Sequence, residues 1–165
     1  LRTHDLFDLS AWRGWNGSAF SVQFVSAYEV PPGQEAAHIC QPLEFPDAPA
    51  ALREVTNQGL VWSHYLNKFV GIFHSHDHTG VLPPFVFALS DDLIHWSPFQ
   101  PLYSPAQNIS AINYPTLLDP TAPERGDRNF ETIGQTAMLY YTIMDTTDAY
   151  RALVRVPMTF EMESD

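Results

Sequence analysis

The chain has 165 residues, 45% hydrophobic and 13% aromatic, enough apolar material for the core of one domain. Its 19 Asp+Glu against 8 Lys+Arg leave a net charge of −11, which disfavours nucleic acid and anionic membrane as partners, because neither phosphate contacts nor a basic patch can be assembled. A single cysteine, Cys40, excludes an internal disulfide and most cysteine-based metal sites, and no apolar run reaches the length of a membrane span.

Taken in order, the first segment, Leu1 to Phe20, carries Trp12 and Trp15 beside Gly14 and Gly17. This reads as the outer strand and exit turn of a preceding β-propeller blade; a Trp-x-x-Trp pair is also a platform on which the apolar face of a sugar can stack. Ser21 to Val25 is a short strand candidate. Tyr28 to Pro49 has several prolines and little periodicity, the mark of a long connection. Ala48 to Val55 then suits a short helical turn, with Asp47 as N-cap and Pro49 in the first turn. The chain opens on Leu1 and shows no signal-peptide pattern. Removal of an export signal or an upstream domain is therefore expected, and location is left open, with secreted or periplasmic placement as one option.

The stretch Gly59 to Gln100 organises the rest. Short runs of β-branched and aromatic residues, each bounded by turn residues, predict four consecutive antiparallel strands. These are Leu60 to His64, Phe69 to Phe73 after a turn at Leu66-Asn67-Lys68, Phe85 to Leu89 after a polar loop, and a last strand carrying Trp96 after Ser90-Asp91-Asp92. Four strands in about forty residues is the size of one β-propeller blade. A second, shorter copy follows: Tyr114 to Leu118, Thr136 to Thr142, and Arg151 to Val156. No fourth strand precedes the acidic end, so the last blade is expected to be open.

Several of these residues resemble a family. Ser90-Asp91-Asp92-Leu93-Ile94-His95-Trp96 is similar to the S-x-D-L-x-x-W signature at a blade turn of five-bladed propeller glycoside hydrolases, such as families 43, 62 and 32. YLNKFVGIF followed by AMLYYT resembles the way those enzymes write successive second strands. Tyr114-Pro115-Thr116-Leu117-Leu118-Asp119 and Leu153-Val154-Arg155-Val156-Pro157 resemble a last blade. The resemblance spans roughly Leu60 to Phe160 and matches the C-terminal half of such a propeller.

The fold expectation is therefore all-β: an incomplete β-propeller of about two and a half blades, built from four-stranded antiparallel meanders. Residues 1–56 form a partial blade and a long connection, 57–105 a full blade and 106–160 the last, open blade. A second copy of the chain or a missing N-terminal half would complete the five-bladed ring, since an open end exposes unpaired edges. The chain is thus expected to be a homo-oligomer, a dimer, binding neither nucleic acid nor membrane.

Antiparallel alternation locates the candidate site. The loop entering a blade's first strand and the loop joining its second to its third lie at the same end. In the full blade that end carries Asn57 and Gln58 with His74, Ser75, His76, Asp77 and His78. In the last blade it carries Asn113 and Tyr114 with Asp145 and its neighbours through Asp148. His74, His76 and His78 with Asn57, Gln58, Asn113 and Tyr114 are the candidate substrate contacts, because imidazoles, amides and phenols offer oriented hydrogen bonds to sugar hydroxyls.

Glycoside hydrolysis needs two carboxyl groups, one an acid and the other a base or nucleophile. The resemblance implies such groups on the first strands of successive blades, but Gln58-Gly59 and Tyr114-Pro115 carry none. Asp77, Asp145 and the Glu29 to Glu44 connection are the candidates instead, Asp77 first, since neighbouring imidazolium would favour its ionised form. Glu131, read at the far end, is assigned a structural role. The function expected is a glycoside hydrolase-like propeller acting on plant or microbial oligosaccharides, with no cofactor and no metal. Two alternatives stay open: a non-catalytic glycan-binding or structural propeller fragment, and a metal-dependent enzyme using the His74 to His78 loop. The loop can also simply solvate the end of the blade.

Overall fold

A computed structural model describes residues 1–26, 28–43, 45–46, 55–75, 83–105, 111–121, 131–145 and 150–162, with the backbone alone at 57, 111 and 145. The protein is all-β, with helix among the described residues limited to two 3₁₀ turns, and it divides into two compact units, Leu1–Glu44 and Phe45–Asp165. No helix among the described residues is long and apolar enough to cross a membrane.

The first unit is built on an antiparallel hairpin, β1 (Arg13–Trp15) and β2 (Phe20–Gln23). Asn16 makes the turn: its side-chain oxygen accepts from the N–H of Ser18 and of Ala19, at 2.9 and 2.7 Å, and Gly17 supplies a φ of 100° that other residues resist. Trp15 and Phe20 pack across the hairpin with ring centres 5.2 Å apart. A 3₁₀ turn, Leu9–Ala11, precedes β1 with Asp8 as its N-cap, and a second, Glu35–His38, follows β2. The strand expected over Ser21 to Val25 thus begins one residue earlier and stops at Gln23. Residues 48–54, read as a helical turn, lie outside the described residues; Val55 is already in a strand.

In the second unit, β3 (Val55–Ser63), β4 (Lys68–Ser75), β5 (Phe85–Ser90) and β6 (Gln100–Tyr103) form an antiparallel meander in spatial order β6-β5-β4-β3. The turn from β3 to β4 is set by Ser63, whose hydroxyl accepts from Leu66 N–H at 3.1 Å, and by Asn67 at a φ of 52°. A second sheet, in order β10-β9-β7, is made of β7 (Ala111–Leu118), β9 (Thr136–Asp145) and β10 (Tyr150–Thr159). Among the described residues β10 has β9 as its one neighbour.

Two readings need correction. Trp96 is not in the fourth strand: it forms an isolated bridge to Ser90, and the strand begins four residues later at Gln100. The cause is local. The Ser90 hydroxyl accepts from Asp92 and Leu93 N–H, and an Asp92 carboxylate oxygen accepts from Ile94 and His95 N–H. Side chains thus take the donors that a strand would need, and Leu93 turns at a φ of 66°. The connection after β7 also contains a short strand, β8 (Thr132–Ile133), parallel to β3 at Trp62 and Ser63. Glu131 serves there through its backbone, its carbonyl accepting from Trp62 N–H at 2.7 Å.

The two sheets share one core. Val61, Val70, Ile72 and Phe85 of the first sheet and Leu117, Ala137, Leu139 and Tyr141 of the second are all buried in it, with Ile133 and Phe160. A second cluster, Phe73, Val86, Ala88 and Trp96, covers the other side of the first sheet beneath Phe45 and Phe99.

Candidate functional site

Strands β3 and β7 run side by side in the same direction. Gly59 lies against Pro115 and Thr116, and Asp119, at the far end of β7, accepts from Gly134 N–H, next to Ile133, whose carbonyl holds His64 N–H. The beginnings of both strands therefore reach one end of the two-sheet body.

Each of these strands carries a bulge at the same level. In β3 the register shifts between Asn57 and Gly59, leaving Gln58 as the extra residue; in β7 it shifts between Asn113 and Thr116, where Tyr114 and Pro115 oppose one residue of β9. Bulges re-aim side chains and are enriched beside active sites and at the rims of barrels. The one in β7 is held on both flanks: Thr142 donates its hydroxyl to the Asn113 carbonyl at 3.1 Å, and Pro115 is fully buried. Between them Tyr114 adopts a φ of 58° with its side chain largely exposed, at 63%. A left-handed backbone costs an L-residue about 1–2 kcal/mol. An exposed aromatic ring makes no return on that cost in packing, which is the pattern of strain kept at a binding position.

His74 stands at the same end. It pairs with Thr56 on one side and Phe85 on the other, its ring edge-on to Phe85 with centres 5.8 Å apart. The aromatic contacts continue from Phe85 to Tyr141 at 5.3 Å and from Tyr141 to Tyr103 at 5.8 Å. Burial, and then the hydrogen bond and charge of Tyr103, push the Tyr141 phenol up to about 12, so it stays protonated at neutral pH. These groups give the end of the body a firm aromatic floor beneath the two bulges.

Of the residues singled out from sequence, the register thus gathers Asn57, Gln58, His74, Asn113 and Tyr114 at one end. Asp145 closes β9 at that end, its backbone paired with Tyr150. His76, Asp77 and His78 lie outside the described residues, as does Asp148. At the same end, Ser75 N–H donates to the Pro84 carbonyl at 2.7 Å. Tyr103, Phe85 and Tyr141 were missed; for Tyr141 the signal was available, in the alternation Ala137, Leu139, Tyr141 that turns it to the core. Among the described residues no three His, Cys, Asp or Glu side chains group closely enough to hold a metal ion. Compared with protein-family models, with curated proteins and with solved structures, the chain matches none.

Proposed function

We propose that the protein is a carbohydrate-active protein of the propeller type, the two sheets of its second unit being neighbouring blades and the bulged end its sugar-binding mouth. One observation carries the reading: adjacent inner strands bulge at the same level and hold Tyr114 in a strained, outward-facing conformation. A ring so presented can stack on a pyranose face, while Gln58, Asn113 and His74, with Asn57 beside them in sequence, supply amide and imidazole partners for hydroxyls. In this reading the substrate is an oligosaccharide of plant or microbial origin. Asp77 and Asp145 act as the carboxyl pair, one giving a proton to the departing oxygen and the other activating water or attacking the anomeric carbon.

The non-catalytic alternative, a glycan-binding propeller fragment, draws on a specific feature: the strand starts Val55-Thr56-Asn57-Gln58 and Ala111-Ile112-Asn113-Tyr114 contain no carboxylate. One experiment separates the two. Release of aryl aglycone from arabinosides, xylosides, galactosides and glucosides, abolished in Asp77→Ala, is the hydrolase result. Oligosaccharide binding lost in Tyr114→Ala, with no turnover of any of the four, is the binding-module result. Absence of both binding and turnover contradicts the sugar reading altogether.

A further inference from the structure

The two sheets of the second unit are covered differently. The first is buried on both faces, Phe85 on one and Val86 on the other. The second is buried on one: along β9, Ala137, Leu139 and Tyr141 are at most 4% exposed, whereas Met138, Tyr140, Thr142 and Met144 between them are not buried. In β10 the alternation continues, with Val154 and Val156 packed on the core and Arg151, Leu153 and Arg155 exposed. The register sets Arg151 beside Met144, Leu153 beside Thr142 and Arg155 beside Tyr140. This outer face is therefore apolar, with two arginines about 13 Å apart along the strand, neither in an ion pair among the described residues.

The complementary surface lies in the first unit. Asp5-Leu6-Phe7-Asp8-Leu9 is exposed, Phe7 at 97% and Leu9 at 83%. Its carboxylates are fixed locally, Asp5 accepting from Phe7 N–H at 2.9 Å and Asp8 from Ser10 N–H at 2.8 Å. Leu9 also lines a cleft of about 380 Å³ with Trp12, Phe24 and Val25. Among its described apolar side chains this unit buries Ala11 and Val22 alone, and a two-stranded hairpin with so small a core needs cover from elsewhere.

We propose that the occupant of the outer face is the first unit of a second copy of this chain. Leu153 enters the apolar cleft, and Arg151 and Arg155 meet Asp5 and Asp8. Association runs through the face rather than the edge of β10, because Pro157 removes an edge N–H and charges on an edge strand oppose pairing. The inference needs only the two surfaces and does not depend on the sugar chemistry.

The test is sedimentation of the full chain over a range of concentrations. A dimer is expected, with its Kd raised at least about tenfold by Arg151→Glu with Arg155→Glu, and separately by Asp5→Lys with Asp8→Lys, since like charges then face each other. Mixing the two double variants restores opposite charges at both contacts, so the mixture must regain the parental Kd to within about threefold. Leu153→Ser must weaken the dimer independently of charge. A monomer at every concentration, a dimer indifferent to these changes, or no recovery on mixing overturns the proposal.

Discussion

At the scale of single residues, the Ser90 to Trp96 turn explains why its side chains are what they are. The Ser90 hydroxyl, 2% exposed as a residue, satisfies two backbone donors, and the Trp96 indole N–H donates to the Leu93 carbonyl at 3.3 Å. Ser90→Ala leaves those donors without their acceptor and is expected to cost about 1–3 kcal/mol in urea unfolding. The N–H of His95, then its ring and the N–H of Ile94, hold the Asp92 carboxyl well below the ordinary value of 3.8. A depressed carboxyl stabilises fully above the unfolded-state value and progressively less as pH falls below it. The melting temperature of the parent should thus fall more steeply than that of Asp92→Asn between about pH 4 and pH 2; equal slopes would contradict the role given to this turn. Tyr114 offers a second check, because strain and binding separate there. Tyr114→Gly is expected to be more stable than Tyr114→Ala by about 1 kcal/mol, while both lose sugar binding. If glycine brings no relief, the conformation is not strained.

At the scale of elements, β4 is the strand on which both clusters depend. Val70 and Ile72 face the core between the sheets, while Gly71 leaves room for rings on the other side: a Cβ there would sit 2.7 Å from Phe73 and 2.8 Å from Trp96. Gly71→Ala is expected to cost about 1–3 kcal/mol through overpacking, read as a lower denaturation midpoint with unchanged slope. Phe85→Ala, which empties the contact between the sheets, should cost about 3–5 kcal/mol. The strands that were legible in the sequence are those with long apolar or alternating runs: GLVWS, KFVGIF, FVFAL and TAMLYYT all lie within observed strands. Trp96 misled because an aromatic residue after a turn looks like the start of a strand, whereas the side-chain hydrogen bonds of Ser90 and Asp92 extend the turn past it. The strand Thr132–Ile133 was not legible, since two residues make no period and its partner is held by backbone bonds alone. For the site, antiparallel alternation was enough to bring the β3 and β7 starts and His74 to one end. The paired bulges were not foreseen, because a bulge depends on how Pro115 and Gly59 meet across two strands far apart in sequence.

At the scale of the whole molecule, a strongly acidic chain keeps few cations, and where they stand carries meaning. Lys68 pairs with Asp91 at 2.7 Å on the surface, a contact worth little by itself, whereas Arg151 and Arg155 stand on a sheet face with apolar neighbours. Added salt is accordingly expected to loosen the dimer without lowering the stability of the sheets, because exposed charge pairs are screened and a buried apolar core is not. The most direct measurement of the central claim is a backbone amide titration by NMR with arabino-, xylo-, galacto- and gluco-oligosaccharides. The account predicts saturable shifts at Gln58, His74, Asn113 and Tyr114 with at least one of them. No shift with any of the four, or shifts confined to Trp12 and Trp15, would contradict it.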